Sequence, residues 1–361
     1  MTAMNSTNLH GSFFVVALYD VCDEINLSRL RPLIGGRLLA AAFKHTTPGY
    51  VRFEHAPVIE SLEPASLKSG EQFTGTVQYY DYGVIGVLLR FAFSGTWADL
   101  KQLASRWISS LMFDELTSRL VRERVEKIKP ALYKSYEHWL DEDYYIFHVD
   151  SSELSAQDLI REHSQDISEI VHGESTQLSP RETDEVLQTG SMSYYANDLV
   201  VVGWNGAFVY DTEAGAEATI RILEYANSQL LQFRHYDELL SRELRQAYRF
   251  LESRRGLLAG WRVRPGATRL RTVLLEINEL TERTNNALKF VGDMFSARLY
   301  KLSTIKIGVT GYQTLVEDKL RTADDLYDFM IEQFHQARGF FLESVVVIIL
   351  IIELFFLFRG K

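Results

Sequence analysis

The chain has very little cysteine and no recognisable catalytic motif. Its single cysteine, Cys22, among 361 residues excludes an internal disulfide framework and a zinc site built from clustered cysteines. Because Cys22 stands beside a predicted strand, we expect it to be a small core residue. Glycine-rich phosphate loops, the H-E-x-x-H metal motif and the G-x-S-x-G nucleophile motif do not occur. We therefore predict no catalytic residues, no cofactor and no metal site.

The first thirteen residues lack arginine and lysine. A secretory signal begins with basic residues and a transit peptide is rich in arginine, so we expect neither. The net charge of −10 argues against a general nucleic-acid-binding protein. Hydrophobic residues make up 46% of the chain and charged residues 24%, as in an ordinary folded protein. We expect a folded head in the cytosol.

The strongest signal in the sequence is the apolar run over residues 340–358. Three of its nineteen residues are polar, namely Glu343, Ser344 and Glu353. A helix of this length covers roughly 28 Å, close to the hydrocarbon core of a bilayer. We predict that residues 339–361 form a single C-terminal transmembrane anchor. The alternative is a buried helix of a large soluble bundle.

An acidic residue inside this run makes insertion into a membrane less favourable. An ionised carboxylate near the middle of a membrane helix costs on the order of 2.5–3.5 kcal/mol. Glu353 therefore either lies at the interface or faces a second copy of the chain, because one span offers it no partner. The candidate membrane and oligomer contacts are Glu343, Glu353, Leu320, Tyr327 and Phe334.

Two segments ahead of the anchor carry an apolar residue every three or four positions. The first covers residues 268–302, and its seam includes Met294. The second begins near Tyr312 and continues into the anchor, and its seam includes Val316, Leu320, Ala323 and Met330. Gly308 and Gly311 permit a turn between them. This spacing predicts an antiparallel coiled-coil hairpin within a stalk over residues 213–338. A plain amphipathic bundle is the alternative.

A third long helix is predicted from Asp211 or Thr212, either of which can cap it, to about residue 253. Arginine is concentrated at its far end: between residues 245 and 271 there are eight arginines and one acid. A solvated helix end explains this pattern, and so does a patch that binds phosphates of RNA or of anionic lipids. The phosphate-binding candidates are Arg245, Arg249, Arg254, Arg255, Arg262 and Arg264.

Residues 10–212 mix strand and helix patterns, which predicts an α+β head. Predicted strands cover residues 13–19, 50–56, 73–80, 84–93, 144–149, 191–195, 199–203 and 207–210. Predicted helices cover residues 27–33, 38–43, 98–111, 114–135 and 156–171, and Ser155 with Asp158 predicts a capping box for the last of them. Residues 204–206 (Trp-Asn-Gly) predict a tight hairpin, and residues 141–143, all acidic, predict a solvated loop. The order of elements suggests a duplicated β-α-β-β-α unit.

The last forty residues resemble the Required for Meiotic Nuclear Division family (domain of unknown function 155). In that family, L-x(4)-D-L leads through a basic residue and an L-E-[WS] step into an apolar span with a second glutamate. The matching residues here are Leu320, Asp325, Leu326, Arg338, Leu342, Glu343, Ser344 and Glu353. The family usually has tryptophan at the position of Ser344. A second match is the segment LLQFRHYDELL, residues 230–240.

The resemblance implies a head of unknown chemistry, a coiled coil and one C-terminal span. Mitochondrial members of that family lie on the inner membrane, form homo-oligomers and support translation by the mitochondrial ribosome. We therefore expect a non-enzymatic, membrane-anchored oligomeric scaffold or tether on the inner (cytoplasmic) membrane of a bacterium, without a small-molecule substrate. Its expected partners are the lipid bilayer, further copies of the chain, and RNA, a ribosome or anionic lipid. The alternatives are a membrane-bound enzyme with a site near Asp81 or Asp150, or an oligomeric pore around Glu353.

Overall fold

A computed structural model describes residues 8–35, 38, 51–53, 56–67, 69–108, 112–152, 154–252, 263–286, 288–290 and 294–359. The chain divides into two compact units. The head unit comprises residues 1–233 and 283–311, and the helical unit comprises residues 234–282 and 312–361. The predicted head, residues 10–212, lies within the head unit.

Within the described residues, the head is built on a mixed sheet of eight strands in the order β3-β4-β5-β1-β6-β9-β8-β7. Neighbouring strands are antiparallel except β6 and β9, which are parallel. The strands are β1 (Leu9–Ile25), β3 (Val58–Ser66), β4 (Gln72–Tyr79), β5 (Val84–Gly95), β6 (Leu132–Asp150), β7 (Ser191–Met192), β8 (Leu199–Val202) and β9 (Gly206–Asp211). A separate antiparallel pair joins β2 (Val51–Phe53) to β10 (Leu288–Phe290).

Helices cover both faces of the sheet. The helices of the chain are α1 (Leu27–Ile34), α2 (Trp97–Ile108), α3 (Met112–Ile128), α4 (Ala156–His172), α5 (Pro180–Gly190), α6 (Glu213–Glu252), α7 (Val263–Asn286), α8 (Met294–Lys306) and α9 (Val309–Arg359). On one face, Phe13 of β1 meets Trp107 of α2 and Phe147 of β6 at ring distances of 4.8 and 4.9 Å. The first half of α6 lies on the other face, where Glu224 bonds to Gln78 of β4. A strand buried on both faces needs no polar alternation, which explains the continuous apolar run at the centre of β1.

Several local predictions are confirmed. The turn at Asn205 joins β8 to β9, with Val202 opposite Ala207. Ser155 caps α4 by accepting the Asp158 N–H at 3.1 Å, and Thr212 caps α6 by accepting the Gly215 N–H at 3.2 Å. Cys22 is fully buried, and its thiol donates to the Glu24 carbonyl at 3.2 Å. The tyrosines at the β4–β5 turn are also buried: Tyr79, Tyr80 and Tyr82.

Other predictions are wrong in the head. The helix predicted over residues 114–135 ends at Ile128, because Pro130 cannot continue an α-helix, and β6 begins at Leu132. The acidic residues 141–143 are therefore not a loop; they lie in β6, where Asp141 pairs with Tyr19 of β1. Strand β3 and helix α5 were not predicted. The helix predicted over residues 38–43 lies outside the described residues except for Leu38, which forms a bridge to Glu60.

The duplication of the head is not confirmed. Each half does place its first strand centrally, β1 or β6, beside its last strand, β5 or β9. The first of these pairs is antiparallel and the second is parallel. The order of the strands is thus repeated in the two halves, but the relative direction of the paired strands is not.

The described residues of the helical unit form three helices: the end of α6, most of α7 and α9 from residue 312. Lys319 of α9 donates to Asp237 of α6 at 2.5 Å, and Arg269 of α7 binds both carboxylate oxygens of Glu243 at 2.9 Å. The predicted apolar seam of α9 is buried at Val316, Leu320, Ala323 and Met330. A two-helix coiled-coil hairpin is not confirmed, because α6 contacts both other helices.

The single helix predicted over residues 268–302 is also wrong. Helix α7 ends at Asn286, and the short strand β10 separates it from α8. Adjacent asparagines at 285 and 286 are poor helix formers, and they coincide with the break. Met294, expected in the seam, is 74% exposed at the start of α8.

Candidate functional site

The apolar end of α9 is exposed along its whole length. An eighteen-residue window of this helix has a mean hydropathy of 2.7, and none of it is buried. The helix is long and apolar enough to cross a membrane. Glu343 and Glu353 are both exposed on this segment.

The other predicted oligomer contacts lie in or beside the three-helix unit. Leu320 is buried there, and the ring of Tyr327 lies 5.5 Å from the guanidinium of Arg271 on α7. Phe334 is half-buried. In one chain, Leu320 and Tyr327 thus stabilise the helical unit, and their part in self-association stays a prediction.

The eight arginines between residues 245 and 271 fall into three groups. Arg245 and Arg249 are exposed one turn apart on α6. Arg254, Arg255 and Arg262 lie outside the described residues, and so does the side chain of Arg264. Two arginines further along the same stretch are ion-paired: Arg269 with Glu243, and Arg271 with Asp324 at 3.7 Å. The structure therefore supports only Arg245 and Arg249 as available cations among the described members of the cluster.

A row of buried polar side chains joins α6 to the sheet and its β4–β5 turn, and it is not among the predictions made from the sequence. Every fourth residue of α6 is polar here, at positions 224, 228 and 232: Glu224 and Gln232 bond to the sheet, and Ser228 bonds to the turn. Gln78 donates to Glu224 at 2.6 Å, and Tyr82 and Ser228 share a hydrogen bond of 2.7 Å. Gln232 donates to Asp20 of β1 at 3.0 Å. The sequence contains the signal for this row, because polar residues recur every four positions on an otherwise apolar face of the helix.

Glu224 is the most unusual member of this row. Its side chain is fully buried, and burial raises the pKa of its carboxyl against the opposing effects of Arg221 and Gln78. Arg221 is its nearest cation, at 3.4 Å. Oε1 of Glu224 has no hydrogen-bond partner within the described part of the chain. Gly86 of β5 makes room for it, because a Cβ there would lie 3.2 Å from Oε1.

Next to this row, a cleft of about 680 Å³ opens between the first turns of α6 and strands β1, β3, β4, β5 and β6. Its size is typical of small-molecule sites. The apolar lining includes Phe14, Leu62, Leu88, Ala216 and Ile220, and the polar lining includes Ser61, Thr74, Thr76, Arg90, His148, Glu213, Glu217 and Arg221. Both acidic and basic side chains thus surround an apolar floor.

At one end of the cleft, Arg90 links strand β1 to the start of helix α6. Its Nε donates to Ser12 at 3.0 Å and its terminal nitrogen donates to Glu213 at 2.7 Å. Arg90 therefore lowers the pKa of the exposed Glu213 carboxyl. Buried His148 lies nearby, with Nε2 3.1 Å from the Asp211 carbonyl and 3.7 Å from Asp150.

The residues named for a possible enzyme site are not in the cleft lining. Asp150 is more than half exposed and reaches the cleft only through His148, while Asp81 lies in the turn between β4 and β5. Among the described residues, His, Cys, Asp and Glu form no group of three that could hold a metal ion.

Comparison with known proteins gives a match over the head. Residues 10–217 match the family described as the N-terminal domain of uncharacterized protein MJ0711. The uncharacterized protein MJ0711 of Methanocaldococcus jannaschii is 21% identical to this chain over 243 residues, which are 67% of this chain and 70% of that protein. No solved structure matches. These matches do not show the family that the C-terminal motifs resemble.

Proposed function

This chain belongs to the family of the MJ0711 N-terminal domain, and we propose that it is a non-enzymatic scaffold or tether anchored in a membrane by α9. The family description names no activity, so the proposal rests on the physical properties of the chain. The resemblance of residues 320–353 to the Required for Meiotic Nuclear Division family supports the same type of protein.

The observation that carries the proposal is the contrast along α9. Over residues 316–330 most apolar side chains are buried within the helical unit and Phe329 is exposed, whereas all the apolar side chains of residues 346–358 are about half exposed or more. Burying apolar surface is worth about 25 cal/mol per Å², so an exposed apolar segment of this length is unfavourable in water. A bilayer removes this penalty, because the helix already satisfies its own backbone hydrogen bonds.

In this proposal, the head lies in the cytosol and α9 crosses the inner membrane of a bacterium. Glu353 then meets either the interface or another copy of the chain, and the second case gives a homo-oligomer. The exposed pair Arg245 and Arg249 supplies a contact for phosphates of RNA or anionic lipids. Ribosome binding is the partner that the family resemblance suggests.

Fractionation of cells that express two forms of the chain tests the anchor. We expect the full-length protein in the membrane fraction, resistant to alkaline carbonate, and a form truncated after Arg338 in the soluble fraction. Tryptophan emission of the truncated form verifies that the head is folded. Recovery of both forms in the soluble fraction would contradict the proposal.

The arginine contact needs its own test. Binding to anionic vesicles or to ribosomes should weaken with salt, and R245A/R249A should weaken it and reduce its salt dependence. R321A on α9, another exposed arginine, is the matched control. Binding that is equal in wild type and R245A/R249A would remove this contact.

A membrane-bound enzyme is the second candidate, and the cleft beneath α6 favours it. Such an enzyme requires a concave site with titratable groups. The cleft provides the space, and His148 provides a titratable group in its lining. Turnover of a bound ligand that H148A abolishes while binding is retained would favour this candidate over a scaffold.

A further inference from the structure

Two oppositely charged side chains of α6 line the cleft without pairing to each other. Glu217 precedes Arg221 by four residues, the order that favours an ion pair along a helix. Within the described part of the chain, Arg221 pairs instead with buried Glu224, and Glu217 has no ion-pair or hydrogen-bond partner. Arg221 bonds to Glu224 through Nη1, so Glu217 and the remaining N–H donors of Arg221 are available to a ligand from one side of the cleft.

The opposite wall supplies hydroxyl groups. Ser61 of β3 lies directly across from Thr76 of β4 in the sheet register, and Thr74 follows on the same face. The Thr76 hydroxyl is buried and has no hydrogen-bond partner among the residues described. Because leaving a buried hydroxyl without a hydrogen-bond partner costs free energy, a ligand atom that bonds to the Thr76 hydroxyl would be stabilising.

The floor of the cleft is apolar. Phe14 and Leu88 come from the sheet, and Ile220 comes from α6 between the two charged positions. The cavity of about 680 Å³ holds a ligand larger than a single polar ion. The lining thus combines an unpaired carboxylate, a guanidinium one helical turn away, hydroxyls opposite and apolar surface below.

We propose that this cleft binds a small zwitterion with an apolar body. The ammonium group would lie at Glu217, and the carboxylate or phosphate at Arg221 and the Thr76 hydroxyl. Two sources share this chemistry: free compounds such as amino acids or phosphoethanolamine, and the ethanolamine headgroup of a phospholipid.

Isothermal titration of the full-length protein in detergent tests the proposal with two ligand pairs. Leucine is compared with 4-methylpentanoate, and phosphoethanolamine with ethyl phosphate, so that each pair differs by the ammonium group. We expect at least one zwitterion to bind about tenfold more tightly than its partner, which is about 1.4 kcal/mol and typical of a charged hydrogen bond. In Glu217→Gln this preference should disappear, while binding of the ammonium-free compound stays unchanged.

Glu238→Gln is the matched control, because Glu238 is exposed on the same helix outside the cleft. It should keep the wild-type preference. Nanodiscs separate the two sources: if the headgroup is the ligand, phosphatidylethanolamine should weaken leucine binding by competition, whereas phosphatidylcholine should not. The proposal is refuted if neither zwitterion binds more tightly than its ammonium-free partner, or if Glu217→Gln keeps the preference.

Discussion

Replacing Glu224 by glutamine should change how the stability of the protein depends on pH. Burial raises the pKa of this carboxyl above its ordinary value of 4.5, so the folded protein favours the protonated form. The stabilising contribution of Glu224 is therefore complete below pH 4.5 and is lost as the pH rises through the folded-state pKa. Glutamine does not titrate and can still accept the hydrogen bond from Gln78.

The quantity to compare is the free energy of unfolding of wild type minus that of Glu224→Gln. Above pH 4.5 this difference should fall by up to about 1.4 kcal/mol per pH unit, the limit for one proton. It should become constant once the pH exceeds the folded-state pKa. Other groups titrate equally in both proteins and cancel.

Urea unfolding of the full-length protein in mild detergent provides the measurement. Tryptophan emission follows the head, where Trp107 is buried in the aromatic cluster. Glu213→Gln is a control of opposite sign: Arg90 lowers the pKa of Glu213, so the corresponding difference should rise with pH below 4.5. A difference for Glu224→Gln that does not vary with pH would refute the interpretation of Glu224 as a buried, proton-binding carboxyl.

Three further predictions concern packing, and urea unfolding measures each of them. Gly83→Ala should destabilise the head by about 3 kcal/mol or more, because the φ of Gly83 is +90° and a Cβ would lie 1.7 Å from a carbonyl oxygen of β1. Gly311→Ala, in open space on α9, should instead stabilise the protein by about 0.5–1 kcal/mol. Equal effects of the two substitutions would contradict the structure. Phe13→Ala should cost about 3–5 kcal/mol, since the ring is buried among four aromatic rings; a cost below about 1 kcal/mol would argue against this core. A double-mutant cycle of Lys319→Met and Asp237→Asn should give a coupling of about 1 kcal/mol for the half-buried pair, and additive effects would show that α9 and α6 do not pair there.

The sequence predicts those parts of the fold whose causes are local. The turn at Asn205, the caps at Ser155 and Thr212 and the length of α6 depend on residues next to one another in the chain, and the structure confirms them. Helix α5 had a comparable signal in Ser179, Pro180 and Glu182, where Ser179 accepts the Glu182 N–H at 3.2 Å. That helix was predictable and was missed.

Elements whose causes are distant could not be predicted in this way. The first half of β6 shows no regular alternation of polar and apolar residues, and it is extended because it pairs with β1 more than a hundred residues earlier. A periodic apolar pattern likewise continued across the break after Asn286, because periodicity records which side of a helix faces inward and not where a helix ends. The strand β10 at that break is defined by its pairing with β2.

The candidate site likewise combines features that are visible in the sequence with contacts between residues that are distant in the chain. The polar spacing of Glu224, Ser228 and Gln232 is visible in the sequence, but their partners lie 146 to 212 residues away. Apolar residues at these positions would also cover the sheet, so the polar ones need another explanation. Buried polar groups are satisfied in one register only, and a shift of α6 by one turn would separate every pair.

This register also determines the cleft. Glu217 and Arg221 precede the polar row on α6, and the pairing of Glu224 with Gln78 sets their height above β4. A purely apolar contact would tolerate small displacements of the helix, and the two charged side chains would then lie at variable distances from the hydroxyls of β3 and β4. The buried polar row is therefore the structural reason that a ligand with two charged groups at fixed separation could be recognised at this place.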